Sequence, residues 1–481
     1  MRKKLFITII LLGVITILFP TKASASYNYS PWQEAIESAH SMSISKIVDN
    51  VNIRDTNNQK VDVTFDDLRD SFIYDDKVYI SDAKQNKIYV LDNNFNYLEQ
   101  YPKADSEVKL NTPIGIFVTN NLLYVADSEN NRIIIFDLDT KEVVQTVQEP
   151  NDDIFKTVRF RPQRLVVDRS GRMLVVAQDI FEGIMEFDPS GVFTRYYGTN
   201  TVQMSFFEAL VYKLSTKKQR EKMALKLQAS FTNLDIDAYG YVYTVSRVEA
   251  SNPVKKLNFK GKDILLNNGY INIVGDTAFE ETNKRVQVGP SSIIDIASNS
   301  DNNRYSILDN KRGRIFTYDI EGHLLYISGQ LGTQNNMLQG PTSVTYFGEK
   351  ILVTDNVTKS IVVYEPTRFG ELINSATKAY YEMDYETARL HWQEVISENS
   401  NYFLAYAGIG KTDLRRQDYK QAITNLKLGH DYYNYSKAYQ EYRNQQLKKS
   451  LPFVIIVVFI ATGYGLYRSI RHAIVREGDE E

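Results

Sequence analysis

At 481 residues the chain is too long for one ordinary hydrophobic core, so two or more domains are expected. Its 56 Lys and Arg against 59 Asp and Glu leave a net charge of −3, which offers no electrostatic reason for a nucleic-acid partner. The absence of cysteine excludes disulfides, thiolate metal sites and cysteine nucleophiles together. The 33 Tyr suit half-buried strands and wet binding faces equally.

Residues 1–25 have the layout of a secretory signal. Arg2, Lys3 and Lys4 precede an apolar run from Leu5 to Phe19, and Ala23-Ser24-Ala25 is a small-residue cleavage motif, so cleavage is predicted after Ala25. The competing reading is an uncleaved anchor of the same orientation. In the segment 26–69, Ser30-Pro31-Trp32-Gln33-Glu34 has the chemistry to cap a short helix, and Ile44 to Ile53 alternates as a strand does.

From about Asp70 a strand, turn, strand pattern recurs. Val78 to Asp92, Leu122 to Asp137, Tyr305 to Asp319 and Ile351 to Glu365 each carry an Asp that closes one short apolar run (Asp82, Asp127, Asp309 and Asp355) before a second run begins five or six residues later. Extending each hairpin by an inner and an outer strand gives units over Asp70–Tyr101, Leu110–Val147, Arg161–Gly198, Phe231–Gly269 and Gly289–Gly329. A sixth starts at Gly340 and stops after Tyr364. In the third unit Gln178 stands where Asp127 does in the second. Six radially repeated four-stranded units with periods near 40 to 50 residues predict a mainly β architecture, a six-bladed β-propeller over 70–366. Its last unit lacks an outer strand, and an open sheet edge is an aggregation hazard. Ile44 to Ile53 is the unassigned strand that fits the gap, with Lys60 to Phe65 as the competing segment. An insertion at 202–228 reads as a helical hairpin.

The openings NTPIGIFV, VGPSSIID and QGPTSVTY and the hairpins YVADSENNRIIIFD and ILDNKRGRIFTYD resemble NHL repeats over roughly Asp70 to Glu365. The resemblance implies that Asp127 with Arg132 and Asp309 with Arg314, and more weakly Asp82 with Lys87, tie each hairpin turn to its neighbour. The repetition itself favours that structural role, because a catalytic residue is needed once and a turn lock in every blade.

After Pro366 the pattern becomes helical. Asp384-Tyr-Glu-Thr-Ala388 and Asp418-Tyr-Lys-Gln-Ala422 lie 34 residues apart, and this stretch resembles two tetratricopeptide repeats within a helical domain at 367–449. The resemblance makes Ala388, Gly410 and Ala422 the small positions of close helix approach, and Trp392 and Leu426 the larger packing positions. Asp413 stands where an aromatic residue is expected. The helix Tyr435 to Lys449 is expected to cap the repeats. The apolar run 451–467, flanked by Lys448 and Lys449 and by Arg468, Arg471 and Arg476, reads as a transmembrane helix that places the tail 468–481 in the cytosol and the rest outside.

Catalytic signatures are missing from the sequence. The histidines His40, His323, His391, His430 and His472 share no metal-ligand spacing, and there is no nucleophile elbow, phosphate loop or dinucleotide fingerprint. Lactonases of the propeller class use carboxylate and Asn ligands around a pore metal. Asp168, Asp235, Asp237 and Asp295, on the inner-strand segments, are the candidates for such positions, and turn residues at strand ends are the competing reading. No cofactor is expected. The combination resembles exported bacterial membrane proteins, and it implies an extracytoplasmic scaffold with protein partners and no nucleic acid. The alternatives are an extracellular propeller hydrolase or lyase and a carbohydrate- or cell-wall-binding sensor.

Overall fold

The computed structural model describes residues 26–151, 153–156, 158–198, 215, 230–246, 252–277, 290–334 and 337–478. The predicted signal segment 1–25 and nearly all of the insertion 202–228 lie outside the described residues. Two compact units divide the chain, 1–371 and 372–481.

The first unit is a six-bladed β-propeller. Blade 1 contains β4 (Leu68–Tyr74), β5 (Lys77–Asp82), β6 (Lys87–Leu91) and β7 (Tyr97–Tyr101), all antiparallel. Blade 2 contains β8 (Pro113–Thr119), β9 (Leu122–Asp127), β10 (Arg132–Asp137) and β11 (Val143–Val147). Blade 3 is β12 (Pro162–Val167), β13 (Met173–Ala177), β14 (Ile184–Phe187) and β15 (Phe193–Tyr197). Blade 4 has three strands, β16 (Phe231–Ile236), β17 (Val242–Ser246) and β18 (Val254–Leu257), with a single bridge from Leu257 to Asp263 in place of a fourth. Blade 5 is β19 (Ile293–Ser298), β20 (Arg304–Asp309), β21 (Arg314–Asp319) and β22 (Leu324–Ser328). Blade 6 supplies β23 (Pro341–Phe347), β24 (Lys350–Asp355) and β25 (Ser360–Pro366) from its own stretch of chain. The innermost strands β4, β8, β12, β16, β19 and β23 touch in a closed cycle. Their neighbours β5, β9, β13, β17, β20 and β24 are almost wholly buried, because each is covered by a blade on both faces, and this is why they read as continuous apolar runs rather than alternating ones.

The fourth strand of blade 6 comes from the start of the chain. Strand β3 (Met42–Asp49) pairs antiparallel with β25, from Ser360 opposite Asp49 to Pro366 opposite Met42. The pairing places this strand a little earlier than the alternation of Ile44 to Ile53 implies, because Val51 to Ile53 turn away under Asp49 and Asn52 hydrogen bonds. Lys60 to Phe65 forms no strand; its one bridge joins Lys60 to Arg54. Ser30 to Glu34 is not a helix start but the turn of a hairpin between β1 (Ser26–Tyr29) and β2 (Ala35–Ser38). Pro31 and Gln33, at a positive φ of 65°, suit a turn, and the Ser30 hydroxyl accepts from the Trp32 and Glu34 N–H groups. Strand β1 lies against blade 5, where the Ser26 hydroxyl donates to the Ile327 carbonyl and the Asn28 side-chain amide to that of Leu325.

The repeated aspartates sit at the ends of the second strands, fully buried. Asp127 accepts from the Asn111 N–H (2.6 Å), from Asn130 Nδ2 (2.8 Å) and from Arg132 Nε (2.7 Å). Asp82 accepts from the N–H groups of Asp66, Asp67, Lys84 and Gln85, and Asp355 from those of Gln339, Gly340, Val357 and Thr358. Asp309 accepts from the Ser291 hydroxyl and the Ser292 and Lys311 N–H groups. Each carboxylate joins its own hairpin turn to the segment that leads into the inner strand of the same blade. The arginine pairing does not repeat. Arg314 leaves Asp309 and donates to the Gly329 carbonyl, its guanidinium 5.1 Å from the Tyr27 ring that β1 brings in, and Arg312 lies 3.6 Å from Asp309 instead. Lys87 faces Asp82 across the strands, but its side chain makes no hydrogen bond to it among those described.

The division between units falls within α1 (Arg368–Tyr381), after which come α2 (Tyr385–Glu398), α3 (Phe403–Arg415), α4 (Tyr419–Leu428) and α5 (Tyr432–Gly478). Asp384 and Asp418 cap α2 and α4 by accepting from the N–H groups of Thr387 and Gln421. Successive helices from α2 to α5 pack on one another with Ala388, Trp392, Ala422, Leu426 and Ala438 buried. A Cβ on Gly410 would lie 2.5 Å from the Leu426 side chain, so only glycine admits that approach. Asp413, where an aromatic residue was expected, is buried and accepts from Arg389 Nε at 2.9 Å and from Asn425 Nδ2 at 3.0 Å. The expected capping helix and the expected span are one continuous helix, α5. Its Tyr432–His472 portion is long and apolar enough to cross a membrane, and no part of its apolar stretch is buried.

Candidate functional site at the propeller axis

Each inner strand carries one irregularity in its pairing near its start: Leu68/Asp70, Pro113/Ile116, Pro162/Arg164, Phe231/Asn233, Ile293/Asp295 and Pro341/Ser343. A bulge re-aims the side chain that follows it. At this level Asp70, Arg164, Asn233, Asp295 and Ser343 form a polar ring, and blade 2 contributes Gly115. A Cβ on Gly115 would lie 2.6 Å from the Gln163 carbonyl oxygen and 3.3 Å from Arg164 Cδ. That gap lets Arg164 extend from blade 3 past blade 2 to blade 1, where Nη2 donates to the Arg69 carbonyl (2.8 Å) and Nη1 lies 3.0 Å from Asp70 Oδ2.

The ring binds neighbouring blades together. Asp70 accepts from the Ile116 N–H at 2.9 Å, joining blades 1 and 2. Asn233 donates to Asp295, and Asp295 accepts from the Val344 N–H at 2.6 Å, joining blades 4, 5 and 6. Asp235 accepts from the Ser298 N–H (2.6 Å) and hydroxyl (2.8 Å). Thr345 and Ser71 link blade 6 to blade 1 at 2.9 Å between their hydroxyls.

Beyond this ring the axis opens into a cavity of about 620 Å³ that reaches the hairpin turns Asp75–Asp76, Asp237–Ala238 and Phe347–Gly348. Six aspartates line it: Asp70, Asp75, Asp76, Asp235, Asp237 and Asp295, with no Lys, Arg or His among the described lining. Burial pushes the Asp295 carboxyl up to about 8, with the Asp70 charge adding to it and Arg164 and two N–H donors opposing it. Burial likewise raises Asp235 to about 6 against its hydrogen bonds from Ser298, and raises Asp70 against the pull of Arg164.

Of the four sequence candidates, Asp235 and Asp295 face the axis. Asp237 reaches the cavity as a turn residue that accepts from the Tyr239 and Tyr241 N–H groups and pairs with Lys256 at 3.2 Å. Asp168 is a turn residue, held by Ser170 and Arg172, and is not among the cavity lining. Asp70, Arg164 and Gly115 shape the candidate site and were not singled out in the sequence. Their signal is a polar residue third in the inner strand (LRD, PQR, FTN, IID and PTS), visible once the blades are aligned. Among the described residues no three His, Asp or Glu side chains gather as ligands for a metal, and the hydroxyl–carboxylate contact in the lining, Ser298 to Asp235, joins blade 5 to blade 4. The geometry supports binding.

Residues 110–136 match the NHL-repeat family. This is blade 2 from its approach segment to its third strand. No curated protein sequence matches the chain. Among solved structures, the chain is similar to Kuenenia stuttgartiensis hydrazine synthase (12% identity, TM-score 0.40, covering 63% of this chain and 96% of that one). It is also similar to a catalytically inactive virginiamycin B lyase from Staphylococcus aureus with quinupristin (12%, 0.39, 72% and 97%). A third is the Swd1 β-propeller domain of Myceliophteria thermophila (9%, 0.40, 68% and 100%).

Proposed function

We propose that this protein is a membrane-tethered extracytoplasmic scaffold, in which an NHL-type propeller and a tetratricopeptide-like helical unit present binding surfaces to protein partners. The observation that carries the reading is helix α5. Its first turns bury Ala438 within the unit that holds α4, and the same helix continues as an unbroken, fully exposed apolar stretch. Exposed apolar surface on that scale is costly in water and at home in a bilayer. The helical unit also exposes Leu390, Leu428, Tyr432, Tyr433 and Tyr439, residues of the kind that anchor protein contacts. The tyrosine-based case for a carbohydrate sensor weakens, since Tyr79, Tyr89, Tyr101, Tyr243, Tyr305 and Tyr318 are blade core.

Protease added to intact cells stripped of their wall should digest the propeller and leave a small fragment containing α5. A chain ending at Ser450 should leave the membrane fraction without detergent. Protection of the propeller, or membrane retention of the shortened chain, would overturn the reading. Affinity purification from detergent-solubilised membranes then identifies the partner.

A further inference from the structure

We propose that the axial cavity binds a linear organic polyamine. The site belongs to the propeller unit alone, so the inference does not depend on membrane tethering.

The charge of the lining sets the class. The basic groups near the cavity are already engaged: Arg164 with Asp70, Lys256 with Asp237, and Arg169 as a donor to the Ala238 carbonyl at the rim. Asp235 and Asp295 have no ion pair among the described residues. Asp237 Oδ2 is buried and accepts no hydrogen bond, with only the Lys256 ammonium beside it. An anion meets no cationic side chain in the described lining and is repelled by its carboxylates. A compact metal ion needs three or more converging ligands, which the described residues do not supply.

The distribution of charge sets the shape. Carboxylates stand at both ends of the cavity, Asp235 and Asp295 within and Asp75 and Asp76 at the exposed turn. Asp70 lies on β4 and Asp75 in the turn that follows Tyr74; over the strand from Asp70 to Tyr74, at ~3.3 Å per residue, the two levels separate by about 13 Å. The wall between them is mixed: Ile73, Phe347 and the Phe72–Phe117 pair, whose ring centroids lie 4.7 Å apart, form its apolar and aromatic part, beside Ser298, Asn299 and Thr345. Methylene chains pack on such a wall, and ammonium groups are drawn to aromatic faces as well as to carboxylates. A molecule with ammonium groups at both ends of a flexible hydrocarbon chain matches both features. Seating an ammonium beside Asp295 favours its charged form, so binding at neutral pH releases a proton.

Calorimetric titration of the full-length protein in detergent, at fixed ionic strength, should show saturable binding of spermidine. Glucose and citrate should show none, and Mg²⁺ should not displace spermidine. Asp235→Asn should weaken spermidine binding at least tenfold, and the binding heat should differ between two buffers of unequal ionisation enthalpy. The double variant Asp75→Asn, Asp76→Asn lies on an exposed turn and is chosen to leave folding intact; it should weaken binding at least threefold. Absence of saturable binding, equal binding of citrate or glucose, displacement by Mg²⁺, or wild-type affinity in a folded Asp235→Asn or double variant would overturn the proposal.

Discussion

Two sets of aspartates occupy the same propeller and behave differently. Those at the hairpin turns (Asp82, Asp127, Asp309 and Asp355) recur at one position in four blades, and each oxygen is filled by donors from its own turn and its own approach segment. Those at the axis (Asp70, Asp235 and Asp295) occur in only three blades, Asp70 and Asp295 third in their strands and Asp235 fifth, hydrogen-bond across blade boundaries, and sit where burial raises their pKa. Uniform use along the chain marks residues that build each blade. Unequal use around the ring marks the place where the blades differ, which is where a ligand can be read.

The severest break opens the ring that holds both sets. Deleting residues 43–58 strips β25 of its partner, and the expected outcome is loss of the cooperative propeller melt with aggregation at the exposed edge, seen by calorimetry and light scattering. A deleted chain that melts like the parent would show that closure does not depend on β3. At the turns, Asp127→Ala leaves the donors on Asn111, Asn130 and Arg132 without their acceptor, and denaturant unfolding should show a loss on the order of 3 kcal/mol with spermidine affinity unchanged in the folded fraction. At the axis, Gly115→Ala forces a methyl group against the Gln163 carbonyl and the Arg164 stem; a loss of about 1–2 kcal/mol is expected, together with altered ligand affinity because Arg164 can no longer reach Asp70 as it does now. Asp295→Asn is the mildest change. A raised folded-state pKa contributes stability that is present below the unfolded value of about 4 and lost as pH rises through about 8. The parent should therefore lose stability relative to the Asn variant between those limits, and pH-resolved melting curves that stay parallel would contradict this.

The blades were legible because their signal is local and repeated. The hairpin Leu122 to Asp137 contains its own turn chemistry and its own buried runs, and the sixth unit's missing strand pointed to a donor elsewhere in the chain. The Ser30 segment was misread because its capping chemistry serves a turn as well as a helix, and only the pairing of Ser26 with Ser38 decides between them. Arg314 was misread because its partner, Tyr27, arrives from nearly 300 residues away in sequence. The axial ring was the least legible part. Asp70 and Arg164 meet only after two blades have formed and a third has supplied Gly115, so no window of sequence contains the interaction. Asp235 and Asp295 could be picked out as polar residues on inner strands, but Asp168 follows its inner strand just as Asp237 does, and only the packed blades show that one lines the cavity and the other does not.

The strand that closes blade 6 also sets a clock on biosynthesis. Ser45 and the Val363 carbonyl that it bonds are 318 residues apart, so β3 is made long before β25 exists. At ordinary elongation rates of about 5–20 residues per second the delay is roughly 15–60 s. Throughout that interval the first blades can form but the ring cannot shut, and β3 remains an unpaired strand available to any neighbouring nascent chain. Helix α1 and its successors are still to come when β25 is completed. Closure is therefore a late event of synthesis, and slow translation through blades 3 to 5 or crowding at the site of emergence should lower the yield of folded protein more than either would for a domain built from local contacts.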